Sequence, residues 1–180
     1  MILGMTTSTF TQLHVLISLV GIASGLVVMY GFLTAKRLDR WTALFLVSTV
    51  ATSITGFLFP IEHLTPGIVI GILSMILLAV AIAARYGLRM SGAWRWIYVV
   101  SASVALYCNV FVLVVQSFEK VPALKALAPT QKEPPFAVVQ LIVMALFVVA
   151  TVFAVKCFHP GSLAGSSNEA SSQRREDRAA

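Results

Sequence analysis

Residues 136–158 read FAVVQLIVMALFVVATVFAVKCF, an apolar run whose single charged side chain, Lys156, lies near its end. A bilayer with a hydrocarbon core about 30 Å thick is crossed by roughly 20 helical residues at a rise of about 1.5 Å each. Pro134 and Pro135 precede the run, and Pro160 and Gly161 follow it, as is typical of helix boundaries. The stretch is therefore predicted to be one membrane-spanning helix.

Four further apolar runs of comparable length lie upstream in the chain. They are Phe10 to Thr34, Trp41 to Phe59, Pro66 to Ala84, and Ala93 to Phe118. Asp39 is predicted to cap the second helix, Thr65 and Pro66 to begin the third, and Ser91 to cap the fourth. In the last loop Pro122, followed by Leu124 and Leu127, predicts a short interfacial helix.

Composition agrees with a membrane domain, since 58% of the 180 residues are hydrophobic and only 11% are charged, whereas soluble domains average about 25% charged residues. The sequence predicts an all-α integral membrane bundle of five transmembrane helices over residues 1–161. Residues 162–180 are rich in Ser, Ala, Glu and Arg without apolar periodicity, which predicts a disordered cytoplasmic tail.

Basic residues alternate between the gaps that separate the apolar runs, and short loops rich in Lys and Arg stay in the cytoplasm. The fourth gap is less clear because its lysines are accompanied by glutamates, but alternation assigns it to the outside. We therefore expect a multi-pass protein of the bacterial inner membrane, with its N-terminus outside and its C-terminus in the cytoplasm. The cytoplasmic basic residues are Lys36, Arg37, Arg40, Arg85, Arg89, Arg95, Lys156, Arg174, Arg175 and Arg178.

The net charge of +6 does not indicate a nucleic-acid partner, because the basic residues occupy short gaps instead of one folded polar face. The partners that charge predicts are the lipid bilayer and its anionic headgroups. Cys108 and Cys157 are predicted to be free thiols, since their depths along helices four and five differ by about 16 Å, beyond the roughly 7 Å limit on the Cα separation of a disulfide.

Polar side chains inside the spans are the candidates for a functional site, because such groups are costly in lipid. None of the five spans carries Asp, Glu, Lys or Arg in its middle. This weighs against a proton pump, a channel with a charged filter or a carboxylate-based hydrolase, and favours a non-enzymatic protein. The strongest remaining groups are His14, Asn109, Gln116 and Gln140.

These four residues are predicted to lie in the outer leaflet, where His63 of the second gap can join them. Asn109 and Gln116 are seven residues apart and share a helix face. One interpretation is an outward-facing polar pocket that binds a small ligand. The other is ordinary hydrogen bonding between helices, and the sequence leaves both open.

His14 and His63 also raise the hypothesis of a redox subunit that holds haem or quinone, since two histidines on one side can ligate a haem iron or a divalent metal. Haem histidines usually lie within the spans, whereas His63 lies in a loop. No cofactor or metal is therefore predicted.

Pairs of small residues four positions apart in the sequence predict close helix packing. Gly21 and Gly25 lie in the first helix, and Gly67 and Gly71 in the third. Such pairs let helix backbones approach each other. Packing within one chain is favoured over dimerisation.

Two segments, FLFPIEHLTP at Phe57 to Pro66 and YCNVF at Tyr107 to Phe111, resemble those of small bacterial multi-pass inner-membrane proteins to which no activity is assigned. The resemblance implies no catalytic residue. The leading expectation is an accessory subunit or small-ligand binder. A transporter component would need a homodimer or a membrane partner subunit to complete its path, because five helices do not divide into two equal repeats.

Overall fold

The computed structural model describes residues 4–59 and 66–159. A π-helical turn, Ala83–Gly87, continues α3 without a break. The prediction of an all-α fold is confirmed for the described residues. The helices are α1 Thr7–Leu33, α2 Asp39–Phe57, α3 Pro66–Ile82, α4 Trp94–Lys120, α5 Pro122–Leu127 and α6 Pro134–Cys157.

Four helices are long and apolar enough to cross a membrane: Thr7–Leu33, Gly67–Gly87, Trp94–Lys120 and Pro134–Cys157. The helix α2 is not among them. It has 19 residues, begins with the charged pair Asp39 and Arg40, and carries a high proportion of hydroxyl side chains. These are Thr42, Ser48, Thr49, Thr52, Ser53 and Thr55.

The five long helices run alternately up and down. At one end of the bundle, the Phe10 ring of α1 lies 5.1 Å from the ring of Phe59, just after α2. At the other end Arg85, after α3, contacts Asp39 of α2 and Tyr98 of α4. The α4 and α6 helices are also antiparallel, because Phe118 pairs with Phe136 while Arg95 bonds the carbonyl of Phe158.

The centre of the bundle is formed by α1 and α4, with α2 packed closely on α1. The share of each apolar span that is buried inside the bundle is 44% in α1 and α4, 22% in α3 and 11% in α6. The helices α3 and α6 therefore flank the core and turn apolar side chains outward. The core includes Val28, Phe32, Phe45, Leu78, Tyr98 and Leu106.

Glycines in α1 permit this close packing. A Cβ atom on Gly25 would lie 2.5 Å from Leu106 Cδ1 and 2.9 Å from the Phe45 ring, and one on Gly21 would lie 3.2 Å from Ser48 Oγ. The predicted packing within one chain is confirmed for this glycine pair.

Two predicted helix caps were wrong. Asp39 is the first residue of α2, whose N-cap is Leu38 without a side-chain bond. The Asp39 carboxylate instead accepts a hydrogen bond from Arg85. Ser91 donates to the Leu88 carbonyl, and α4 begins only at Trp94.

The short helix after Pro122 is confirmed as α5. Cys108 and Cys157 are free, the first buried and the second exposed. Thr65, His63 and the predicted tail at 162–180 lie outside the described residues.

Candidate functional site

His14 joins α1 to α2. Its Nδ1 atom lies 2.8 Å from Thr55 Oγ1, and the Thr55 hydroxyl donates its one proton to the Ala51 carbonyl at 2.7 Å. The contact holds the start of α1 against the end of α2. The ring also meets the edge of Phe59, with 5.4 Å between centroids.

Asn109 joins α4 to α2. Its Nδ2 donates to Thr49 Oγ1 at 3.3 Å, and Thr49 is fully buried. Both residues lie near the middle of their helices. A polar contact at this depth fixes how the two helices are rotated, because neither group has water as an alternative partner.

Gln140 joins α6 to α4. Its Nε2 donates to the Phe111 carbonyl at 3.3 Å. The other amide atom, Gln140 Oε1, is buried without a hydrogen-bond partner among the described residues. One half of this amide is thus used in helix packing while the other half remains an unsatisfied acceptor.

Three of the predicted site residues, His14, Asn109 and Gln140, are thus paired with neighbouring helices and not with one another. Gln116 is exposed, and His63 lies outside the described residues. In the described part of the chain no hydrogen bond joins any two of the predicted residues. A shared pocket stays a prediction.

Two open grooves lie on the sides of the bundle. One, of about 330 Å³, runs between α4 and α6 and includes Tyr107 and Phe147. The other, of about 550 Å³, runs between α2 and α3 and includes Val47 and Tyr86. Both are lined almost wholly by apolar atoms, and His14, Asn109, Gln116 and Gln140 line neither.

A polar network that the sequence analysis did not predict lies at the opposite end from His14. Arg85 is only 5% exposed. Its Nη1 donates to the Tyr98 hydroxyl at 3.1 Å, and its Nη2 donates to the Asp39 carboxylate. Its guanidinium carbon also lies 5.2 Å from the centre of the Tyr98 ring, a cation–π distance.

Arg95 closes the same end of the bundle. Its Nη1 donates to the Val155 carbonyl at 3.2 Å and to that of Phe158, which satisfies carbonyls that the end of α6 leaves without helical partners. In the sequence, Arg85 and Arg95 look like ordinary loop residues. The signal for Arg85 was its spacing from Leu78 and Ala81, which places it on the buried face of α3.

The described residues contain no group of three His, Cys, Asp or Glu side chains that could hold a metal ion. No protein-family model, curated protein or solved structure matches this chain.

Proposed function

We propose that the chain is a five-span protein of the bacterial inner membrane that serves as a non-catalytic accessory subunit of a membrane complex. The observation that carries this proposal is the exposed apolar surface of α6, most of which lies outside the bundle. The polar side chains of His14, Asn109 and Gln140, by contrast, form hydrogen bonds between helices of the same chain.

The proposed topology is supported by the alternating directions of the long helices. The end of the bundle that holds Arg85 and Arg95 also holds Asp39 and Phe158. The starts of α2 and α4 and the ends of α3 and α6 thus lie on one side of the bundle. The basic residues that favour the cytoplasm lie on the same side. If α2 also crosses the bilayer, the N-terminus lies outside and the C-terminus in the cytoplasm.

The accessory role is supported by the surface of α6. This helix packs mainly on α4, and its outward face consists of large apolar side chains, with Leu146 64% exposed and Val148 57% exposed. Association of helices in lipid depends on close packing and occasional polar bonds. Because only 11% of the α6 span is buried within its own chain, this helix is available to pack against a span of another subunit.

Topology is tested by reporters fused at successive points of the chain. Fusions after Ala35, Gly87 and Gly161 should give cytoplasmic signals, and fusions after His63 and Lys125 should give external signals. An external signal from the Gly161 fusion would contradict a five-span arrangement.

The accessory role is tested by a photo-crosslinking amino acid placed at Val149 of α6, which is 54% exposed. The matched control is Leu16 of α1, 61% exposed and equally apolar. In native membranes we expect a discrete crosslinked product from position 149 and only lipid adducts from position 16. The same products from both positions, or none at 149, would refute the accessory role.

A second candidate function, binding of a small ligand in the outer leaflet, is favoured by the unsatisfied Gln140 Oε1. A buried acceptor without a partner is a place where a hydrogen-bond donor would be stabilised. Gln140→Leu should then abolish binding of that ligand while the helices stay folded. A variant that loses its fold would show that the Gln140 bond to α4 is structural.

A further inference from the structure

The groove between α2 and α3 is apolar along its length and open to the side of the bundle. It has a volume of about 550 Å³. Its residues on α2 recur every three or four positions, which places them on one face of the helix. The wall is formed by Ala43, Val47, Ala51 and Ile54 from α2, by Ile82 at the end of α3, and by Tyr86 in the π-helical turn that follows.

The length of the groove matches one leaflet of a bilayer. From Ala43 to Ile54 there are 54 − 43 = 11 residue steps, or about 16 Å of helix at about 1.5 Å per residue. The hydrocarbon core of a bilayer is about 30 Å thick, so one leaflet accounts for about half of it. An acyl chain of a single leaflet would therefore lie along the whole groove.

A cationic residue precedes the groove on α2. Arg40 precedes Ala43 by three residues and Val47 by seven, so it lies on the groove face of α2. It is exposed, and among the residues that the structure describes it forms no ion pair. The nearby Asp39 carboxylate is already shared by Arg37 and Arg85, which leaves the Arg40 charge uncompensated.

We propose that this groove binds an anionic phospholipid of the cytoplasmic leaflet, with one acyl chain between α2 and α3 and its phosphate at Arg40. Guanidinium groups bind phosphate through paired hydrogen bonds. A phospholipid is favoured over an apolar transmembrane helix as the occupant, because its phosphate would compensate the Arg40 charge and an apolar helix would not.

The proposal rests on the five-span topology, which places α2 in the bilayer. The two ideas fail in different ways. If the topology is wrong, the reporter fusions after Ala35 and His63 give signals on the same side of the membrane. If only the lipid site is wrong, those fusions keep their opposite signals while the lipid experiment fails.

The test uses the full chain purified in mild detergent with equimolar phosphatidylglycerol and phosphatidylcholine of identical acyl chains, analysed by native mass spectrometry. The wild-type protein should retain phosphatidylglycerol preferentially. Arg40→Gln should lower that retention about fivefold, the effect of roughly one basic side chain at a membrane surface. Lys125→Gln is the matched control, because Lys125 is exposed within α5 at the other end of the bundle.

The groove itself is tested by filling it. Ala51→Phe should reduce retention of both lipids, and Val47→Trp, at a position 69% exposed, gives a second filling variant that the core does not restrict. Circular dichroism establishes that each variant is helical. Equal retention of the two lipids by the wild type, equal losses in the Arg40 and Lys125 variants, or unchanged retention in a folded groove-filling variant would overturn the proposal. A dimer that displaces lipid would also overturn it.

Discussion

Single atoms decide how closely the helices of this bundle approach. Gly25 has no room for a methyl group, because an added Cβ would lie 2.5 Å from Leu106 Cδ1 and 2.9 Å from the Phe45 ring. The three side chains belong to three helices, α1, α4 and α2. Any larger residue at this position must displace the Leu106 and Phe45 side chains.

Gly25→Ala is therefore expected to destabilise the protein by about 1–3 kcal/mol, the usual cost of overpacking, and to lower the midpoint of thermal unfolding in detergent. Gly56→Ala is the matched control, because its added Cβ would meet only His14 Cε1 at 3.6 Å, an ordinary contact. Equal midpoints for the two variants would show that the packing at Gly25 relaxes without cost.

Arg85 stabilises its end of the bundle through the geometry of its hydrogen bonds as well as through its charge. One nitrogen bonds Tyr98 and the other bonds Asp39, an arrangement that the single ammonium of Lys does not reproduce. The Asp39 side chain is 69% exposed, so its ion pair with Arg85 is screened by solvent and contributes little. The bond to the buried Tyr98 hydroxyl is the larger contribution.

Arg85→Lys should consequently lower stability by about 1–3 kcal/mol, the cost of a buried polar group that loses its partner. Arg89→Lys is the control, since Arg89 is exposed and just beyond the same helix end. Thermal unfolding of both variants measures the difference. A loss in Asp39→Asn as large as that in Arg85→Lys would show that the ion pair dominates after all.

The two thiols differ in access. Cys108 is buried in α4 and Cys157 is exposed at the end of α6. A maleimide should label Cys157 rapidly and Cys108 slowly in the native protein, and should label both in denaturant without reductant. If denatured protein reacted only after reduction, a disulfide between chains would be present.

At the scale of the helices, the sequence predicted where apolar runs lie but not how their ends are satisfied. The prolines at the starts of α5 and α6 were sufficient to predict where these helices begin. Proline at a first helical position loses no backbone hydrogen bond, because that N–H has no partner within the helix. Asp39 and Ser91 were misjudged as caps because a cap depends on the local backbone, and each has another partner. Gln140 and Asn109 were recognised as polar groups, but which helix each contacts depends on rotations that the sequence does not contain.

The turn before α6 is held by Glu133. Its carboxylate accepts bonds from the backbone N–H of Thr130 at 3.1 Å and of Lys132 at 3.0 Å. Although desolvation acts to raise it, the hydrogen bonds from the backbone and from Thr130 hold the pKa of Glu133 below its usual value. The ionised form is therefore the one that stabilises the turn.

A lowered pKa in the folded state means that this stabilisation is complete above the unfolded pKa of about 4.3 and is lost as the pH falls through the folded pKa. Hydrogen exchange at Thr130 and Lys132, corrected for intrinsic rates, should lose protection in acid. Glu133→Gln should lose it already at neutral pH, whereas Glu119→Gln should behave as the wild type. Acid-independent protection would contradict the role of the carboxylate.

At the scale of the whole molecule, the bundle is asymmetric. Its core lies between α1, α2 and α4, where glycine contacts and the Asn109 bond fix the register. The helices α3 and α6 add fewer residues to this core, such as Leu78 and Ala154, and leave most of their surface uncovered. The proposed partner surface on α6 is thereby separate from the packed centre, whereas the proposed lipid groove borders it along α2.

The register of α1 against α2 can be tested directly, because a Cβ atom built on Gly21 would lie 3.7 Å from Ser48 Cβ. Disulfides form at Cβ separations of about 3.5–4.5 Å. A Gly21→Cys and Ser48→Cys pair, in a background where Cys108 and Cys157 are replaced by Ala, should therefore oxidise within one chain.

The control pair combines Gly21→Cys with Thr55→Cys. Thr55 is 55 − 48 = 7 residues beyond Ser48, about 10 Å along the helix, so this pair should stay reduced. Gel mobility with and without reductant distinguishes the two results. Oxidation of the control pair instead would mean that α1 and α2 are shifted by two turns, which would also separate His14 from Thr55 and remove the bond that joins them.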